Sequence, residues 1–185
     1  MKTEQQYFEE AVSIQEYMEH MTQLKELSFE IYNQFEVPND DFIEKLKNSG
    51  YHLLVITEDW CGDAMLNNPI IRKVVEAAGL TMRATLRDAD TELIDRYLTN
   101  GGRAIPIYLV LNDEGEVVAK WGPRAPELQQ LVMELRAKLP DKEDPSFEQA
   151  QLEMYTAMRD RYTKDAEIWN YVYNSFKQAI EPTLS

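Results

Sequence analysis

The only cysteine of this 185-residue chain, Cys61, lies in the segment WCGDA, where a predicted strand gives way to a predicted helix. A thiol in the first turn of a helix faces unpaired backbone N–H groups and the positive end of the helix dipole, which both stabilise the thiolate. Because the thiolate is the nucleophile in disulfide exchange, this position predicts a lowered pKa and a reactive sulfur. The alternative is an inert cysteine, which is the more common kind in proteins.

The neighbours of Cys61 suit such a site. Gly62 leaves the sulfur accessible, and Trp60 shields one side of it while offering a flat apolar surface to a partner. Asp63 stabilises the helix dipole but repels a nearby thiolate, so its net effect on reactivity stays open.

The elements that must position Cys61 follow from hydrophobic patterning. A nearly unbroken apolar run predicts a strand covered on both faces just before WCGDA. Shorter runs predict further strands, and a glycine turn predicts a closing hairpin. The predicted strands are 51–57, 81–86, 107–111 and 116–120, and the predicted helices are 41–47, 61–78, 91–98 and 125–138.

Both ends of the chain carry apolar residues at the three-four spacing of an amphipathic helix. The first zone is predicted to be helical to about Val37, and one long helix is predicted from Tyr155 to Ile180 after a polar hinge. We therefore divide the chain into an N-terminal helical extension (1–38), a central domain (39–140) and a C-terminal helical extension (141–185). The extensions carry no chemical motif, and we expect them to pack on each other, on the central domain or on a second subunit, which allows a homodimer.

The alternation of strands and helices in the central domain predicts an α/β fold. The crossovers make the first strands parallel, the hairpin adds an antiparallel edge, and helices must cover both faces of the sheet. We expect a mixed sheet of about four strands, because a helical zone precedes the first clear strand.

Two segments resemble the signatures of the thioredoxin family. EDWCGDAMLNNP is similar to its Trp-Cys-Gly-x-Cys active-site segment, and GGRAIPIYLVLNDEGEVVAKWG is similar to the segment with its cis-proline. The resemblance covers about residues 40–139 and is greatest to bacterial thioredoxin-like proteins with a Cys-Gly-Asp-Ala site. It implies a thioredoxin-like fold, a cis Ile105–Pro106 bond beside the cysteine and a substrate-docking surface. The residues assigned to that surface are Trp60, Gly62, Asp63, Ala64, Arg103, Ile105 and Pro106.

This chain departs from the family pattern at two positions. Ala64 replaces the resolving cysteine, and Val55 replaces the buried aspartate thought to handle the proton of that cysteine. A dithiol cycle within one chain is therefore impossible. We expect Cys61 to form a mixed disulfide with a protein disulfide or a low-molecular-weight thiol adduct, which an external thiol then resolves. The alternative is a non-catalytic binding module that uses the cis-proline groove or the terminal helices.

One candidate beyond the motif is Arg103, which precedes the cis-proline segment. It either attracts an anionic group of the substrate or simply faces solvent.

The composition limits the partners. The formal net charge of −14 makes nucleic acid and membrane surfaces unfavourable partners. The N-terminus has no apolar signal-peptide core, and a single cysteine suits a reducing cytoplasm, so we expect a cytoplasmic protein. His20 and His52 lie in no ligand pattern, and we expect neither a metal nor another cofactor.

Overall fold

The computed structural model describes residues 1–184, which form one mixed five-stranded sheet. The strands are β1 (Val12–Ser13), β2 (His52–Thr57), β3 (Met82–Leu86), β4 (Ile107–Leu111) and β5 (Val117–Trp121). Their order is β1-β3-β2-β4-β5. β2 pairs with β3 in parallel, and the other three pairs are antiparallel. The predicted α/β class with a mixed sheet is confirmed.

The helices of the central region follow their sequence signals. They are α4 (Asp41–Lys47), α5 (Gly62–Ala77), α6 (Thr91–Ile94) and α7 (Pro126–Ala137). Asp40 caps α4 by accepting a hydrogen bond from the Phe42 N–H at 3.1 Å. The predicted helix 91–98 is shorter than expected, since α6 ends at Ile94.

The N-terminal zone differs from the predicted single helical stripe. It forms α1 (Glu4–Glu10), β1, α2 (Ile14–Glu19) and α3 (Lys25–Gln34). Val12 and Ser13 pair with β3, which gives the sheet one strand more than expected. The apolar residues keep a helical period across these breaks although they pack in two different cores, Tyr7 in one and Ile14 and Met18 in the other. A two-residue strand is too short to change that period.

The predicted long C-terminal helix is two helices, α8 (Phe147–Lys164) and α9 (Ala166–Ile180), followed by a short 3-10 turn (Glu181–Thr183). They meet at Asp165, whose backbone is extended, with φ −100° and ψ 102°. Its side chain accepts a hydrogen bond from the Glu167 N–H at 3.0 Å and thereby starts α9. An aspartate is a common N-cap residue, so Asp165 indicates the start of a new helix, whereas the apolar periodicity continues through it without interruption.

Helices cover both faces of the sheet, as predicted. Along β2, Leu53 and Val55 face the large core that α3, α5, α8 and α9 complete, whereas Leu54 and Ile56 face a smaller core under α1 and α6. The aromatic stripe of α9 is buried within the chain, against β5 and α5. A homodimer through the terminal helices would therefore need other faces, and it stays a prediction.

Candidate functional site

Cys61 is the N-cap residue of α5, four residues after the last residue of β2. The Cys61 carbonyl accepts the first hydrogen bond of the helix, from the Met65 N–H at 2.9 Å. The sulfur is half-buried, and its S–H points to the Ile105 carbonyl oxygen at 3.5 Å. The Ile105–Pro106 peptide bond is cis. The two sequence segments, 44 residues apart, therefore meet at the sulfur.

The pKa of the Cys61 thiol lies above its ordinary value, so the predicted lowering is wrong. Burial of the sulfur is the largest cause, and the Asp63 carboxylate adds to it. The backbone N–H groups of Asp63 and Ala64 do lower the pKa, as the helix start requires, and Arg124 helps them. Desolvation and the negative charge of Asp63 disfavour the thiolate more strongly than these groups stabilise it, so the pKa rises.

Asp63 is held by two residues far away in the sequence. Arg124 Nε lies 2.9 Å from Asp63 Oδ2 as an ion pair that is not aligned as a hydrogen bond. The Tyr162 hydroxyl donates to Asp63 Oδ1 at 3.5 Å. Burial raises the pKa of the Asp63 carboxyl group although Arg124, Arg136 and Tyr162 act in the opposite direction. The Asp63 side chain is only 12% exposed, so water screens its charge weakly.

A pocket of about 320 Å³ opens beside the sulfur. Residues 60–63 form one wall, and the other walls come from the loop after β5, from α7 and from α8. The residues outside the WCGDA segment that line this pocket are Arg124, Arg136, Tyr155, Met158, Arg159 and Tyr162. The C-terminal extension is therefore part of the site, although sequence analysis assigned it no chemistry.

The remaining motif residues have distinct surroundings. Trp60 is 42% exposed, and the Arg87 guanidinium lies 5.0 Å above its ring. Gly62 lines the pocket, and a Cβ built on it would meet nothing within 4 Å. Ala64 is buried, so the position of the missing resolving cysteine faces the core. Val55 is also fully buried.

Of the two roles considered for Arg103, attraction of an anionic group or a position facing solvent, the structure agrees with the second. Its Nε and a terminal nitrogen contact the two Asp95 carboxylate oxygens at 2.7 and 3.0 Å. It is exposed and does not line the pocket beside Cys61. A bidentate carboxylate neutralises its charge, and the arginines that line the pocket are Arg124, Arg136 and Arg159.

The segment after β5 packs closely against the cis-proline Pro106. Gly122 has φ +122°, and a Cβ there would lie 2.2 Å from the Pro106 carbonyl oxygen. The Gly122–Pro123 bond is also cis, and the chain then delivers Arg124 to the pocket. The letters WGPR after the second signature carried this signal, because a glycine and a proline together mark a constrained turn.

The described residues show neither a membrane span nor a metal cluster. None of the helices in residues 1–184 combines the length and apolar character that crossing a bilayer requires. Within the same residues, His, Cys, Asp and Glu side chains form no group of three or more that could hold a metal ion.

Comparisons with known proteins agree with this architecture. The sequence matches the family model described as Thioredoxin over residues 11–138, which is more than half of the chain. No curated protein matches the sequence significantly.

Two solved structures resemble the fold at low sequence identity. A crystal structure of a protein of unknown function from Pseudomonas aeruginosa is 16% identical, with a TM-score of 0.61, over 95% of this chain and 99% of that chain. An HIV epitope-scaffold is also 16% identical, with a TM-score of 0.59, over 94% of this chain and 99% of that chain. At this identity the likeness concerns the fold alone, and it extends over most of both terminal zones.

Proposed function

This chain belongs to the thioredoxin family, and from that premise we propose that it is a monothiol-disulfide oxidoreductase with Cys61 as its nucleophile. The observation that carries the proposal is the meeting of the Cys61 sulfur, the Ile105 carbonyl oxygen and an open pocket at the start of α5. A reducing compartment such as the cytoplasm suits a single free thiol.

The reaction consists of two disulfide exchanges. Cys61 loses its proton to solvent, and the thiolate attacks one sulfur of a disulfide; a bond between Cys61 and that sulfur forms while the substrate S–S bond breaks. The leaving thiolate carries away the electron pair and takes up a proton. An external thiolate then attacks the substrate-derived sulfur, and Cys61 leaves as the thiolate. Cys61 is regenerated, so the protein undergoes no net oxidation or reduction.

The residues around the sulfur have separate tasks in these steps. The N–H groups of Asp63 and Ala64 stabilise the Cys61 thiolate. The Ile105 carbonyl accepts the S–H in the resting state and becomes available to a substrate N–H once the proton is lost. Trp60 provides the exposed apolar surface next to the sulfur.

The raised pKa sets the pH at which the protein works. An ordinary cysteine is about 3% thiolate at pH 7, and Cys61 lies below that fraction because its pKa is higher. A thiolate of higher pKa is the stronger nucleophile. We therefore expect slow exchange at neutral pH that accelerates as the pH rises.

The test compares the wild type with Cys61→Ser. Turnover of a mixed disulfide with a small thiol as resolving agent is measured at pH 7 and pH 9, and the uncatalysed exchange is subtracted. We expect the wild-type rate to rise more than tenfold between these values, since the thiolate fraction rises about tenfold per pH unit below the pKa, and Cys61→Ser to show no turnover. Equal rates for the two proteins at both pH values would contradict the proposal.

The second candidate is the non-catalytic binding module, which the raised thiol pKa favours. In that case Cys61→Ser leaves the affinity for the partner unchanged, and neither protein turns over a disulfide. The same assay at pH 9, where more of the thiol is ionised, therefore separates the two candidates.

A further inference from the structure

The pocket beside Cys61 is strongly cationic in a protein that is strongly acidic. Three of the nine arginines line it, namely Arg124, Arg136 and Arg159. Asp63 is the acidic residue among the lining residues that the structure describes, and Arg124 neutralises it. The pocket therefore carries a formal charge of +2, whereas the whole chain carries −14.

Two of these arginines hold no carboxylate. Within residues 1–184, Arg136 and Arg159 have no acidic side chain at ion-pair distance. Six of the other seven arginines contact carboxylates, for example Arg103 with Asp95 and Arg161 with Asp165, and the seventh, Arg83, donates to backbone carbonyls. A guanidinium binds a carboxylate through two parallel N–H groups, so the two unpaired arginines have the chemistry to receive anionic groups.

The size and walls of the pocket define the rest of the ligand. A volume of about 320 Å³ lies at the lower end of the range for small-molecule sites. α8 supplies the apolar surface that lines the pocket beside Cys61, through Tyr155, Met158 and Tyr162. Because α8 lines one side of this pocket and Arg159 gives that side positive charge, the space beside the sulfur suits a small molecule better than the surface of a folded protein.

We propose, on the basis of the proposed function, that the substrate is a low-molecular-weight disulfide bearing carboxylates, which Arg136 and Arg159 bind while Cys61 attacks its sulfur. Small amino-acid-derived thiols carry both the sulfur and the carboxylates that this pocket combines. The exchange is the one written above: the first small thiolate leaves, and a second molecule of the same class of thiol resolves the mixed disulfide.

The test compares two aromatic disulfides of similar size that differ in charge. Dithiobis(nitrobenzoate) carries two carboxylates, and dithiodipyridine is uncharged at neutral pH. Their second-order rates with Cys61 are measured for the wild type and for the double variant Arg136→Gln/Arg159→Gln. The control is Lys138→Gln/Arg161→Gln, which removes the same charge from the C-cap of α7 and from α8, outside the pocket.

We expect the double variant to lose at least tenfold in rate with the anionic disulfide and less than twofold with the uncharged one. The control should change both rates by less than twofold. Equal losses in the control would show long-range attraction in place of a binding site and would overturn the inference. Equal losses with both disulfides, or no loss with either, would overturn it as well.

A binding measurement separates this inference from the proposed function. S-methylglutathione, a thioether with two carboxylates that cannot exchange, is titrated calorimetrically into Cys61→Ser with and without the two arginine changes. Saturable binding that requires Arg136 and Arg159 supports the pocket even if turnover is absent, in which case only the proposed function fails. Absent binding together with normal turnover of uncharged disulfides overturns the inference and leaves the proposed function intact.

Discussion

Replacing Asp63 with asparagine should lower the pKa of the Cys61 thiol. The pH–rate profile of the thiol should then shift to lower pH and reach a lower plateau. Asp63 raises the pKa of the Cys61 thiol by charge repulsion, and Arg124 lowers it. Asp63→Asn removes the repelling charge and also releases the Arg124 guanidinium, which is 2.9 Å from Asp63 Oδ2. Both changes favour the thiolate. The asparagine has the same shape, and its amide oxygen can still accept the Tyr162 hydroxyl.

The size of the effect follows from the burial of the charges. The Asp63 and Arg124 side chains are 12% and 17% exposed, so solvent screens them little. Neighbouring charges commonly move a pKa by about one unit, which corresponds to about 1.4 kcal/mol and to about ten times more thiolate at pH 7. Because a thiolate of lower pKa is intrinsically about threefold less nucleophilic, the net rate at pH 7 should rise about three- to fourfold. At alkaline pH, where both proteins are ionised, the variant should be about threefold slower.

The two pH profiles should therefore cross, which is a sharper outcome than a change in rate at one pH. Alkylation with iodoacetamide measures them, because this uncharged reagent does not respond to the arginines of the pocket. Asp141→Asn, an exposed position between α7 and α8, is the matched control and should leave the profile unchanged. A thermal melt verifies that the unpaired Arg124 leaves the variant folded. Parallel profiles, or a slower Asp63→Asn at neutral pH, would refute the electrostatic account of Cys61.

Two further predictions concern the framework of the site. Gly122→Ala should destabilise the protein by about 3 kcal/mol or more, because its Cβ would lie 2.2 Å from the carbonyl oxygen of the cis-proline and its φ is +122°. Gly62→Ala, whose Cβ meets nothing within 4 Å, should stay within about 0.5 kcal/mol of the wild type in the same urea titration. Asp40 caps α4 and accepts the Tyr173 hydroxyl of α9 at 2.7 Å, so Asp40→Ala should cost about 2 kcal/mol at pH 7. Burial alone raises the pKa of Asp40, but Tyr173 and its other partners outweigh burial and lower it. The stabilisation is therefore complete above the unfolded pKa of about 3.9 and disappears as the pH falls through the folded pKa. Unfolding titrations from pH 7 to pH 3 should show the wild type and Asp40→Ala converging, whereas Asp41→Ala should cost less than about 1 kcal/mol throughout.

The local part of the site was predictable from the sequence because it depends on neighbouring residues. A strand, a short loop and a helix starting at Gly62 place Cys61 at the N-cap, and these elements follow from a local apolar run. The contact between Ile105 and the sulfur was predictable from the second signature, because the resemblance implies a cis-proline segment beside the cysteine. The extra strand β1 was missed because two residues do not interrupt a helical period.

The electrostatic part was not predictable, because it arises between residues far apart in the chain. Tyr162 and Asp63 are separated by 99 positions, and nothing near either residue indicates the other. The sequence does show that Asp63 follows the cysteine, but the sign of the pKa change depends on how deeply the sulfur is buried. That burial comes from tertiary packing, which includes α8, a helix that lines the pocket and carries no chemical motif in its sequence.

The position of α8 links the raised pKa of Cys61 to the selectivity of the pocket. The same helix that walls the pocket carries Tyr162, which holds Asp63 beside the sulfur, and Arg159, which adds positive charge one turn earlier. A carboxylate bound at the arginines would exclude water from the sulfur and add a second negative charge near it, and both effects disfavour the thiolate further. Attack must therefore draw on the greater intrinsic nucleophilicity of a high-pKa thiolate and on its proximity to the bound disulfide. It follows that an anionic disulfide should gain rate through a lower KM, whereas its kcat should reach the alkaline plateau at a higher pH than the kcat of an uncharged one.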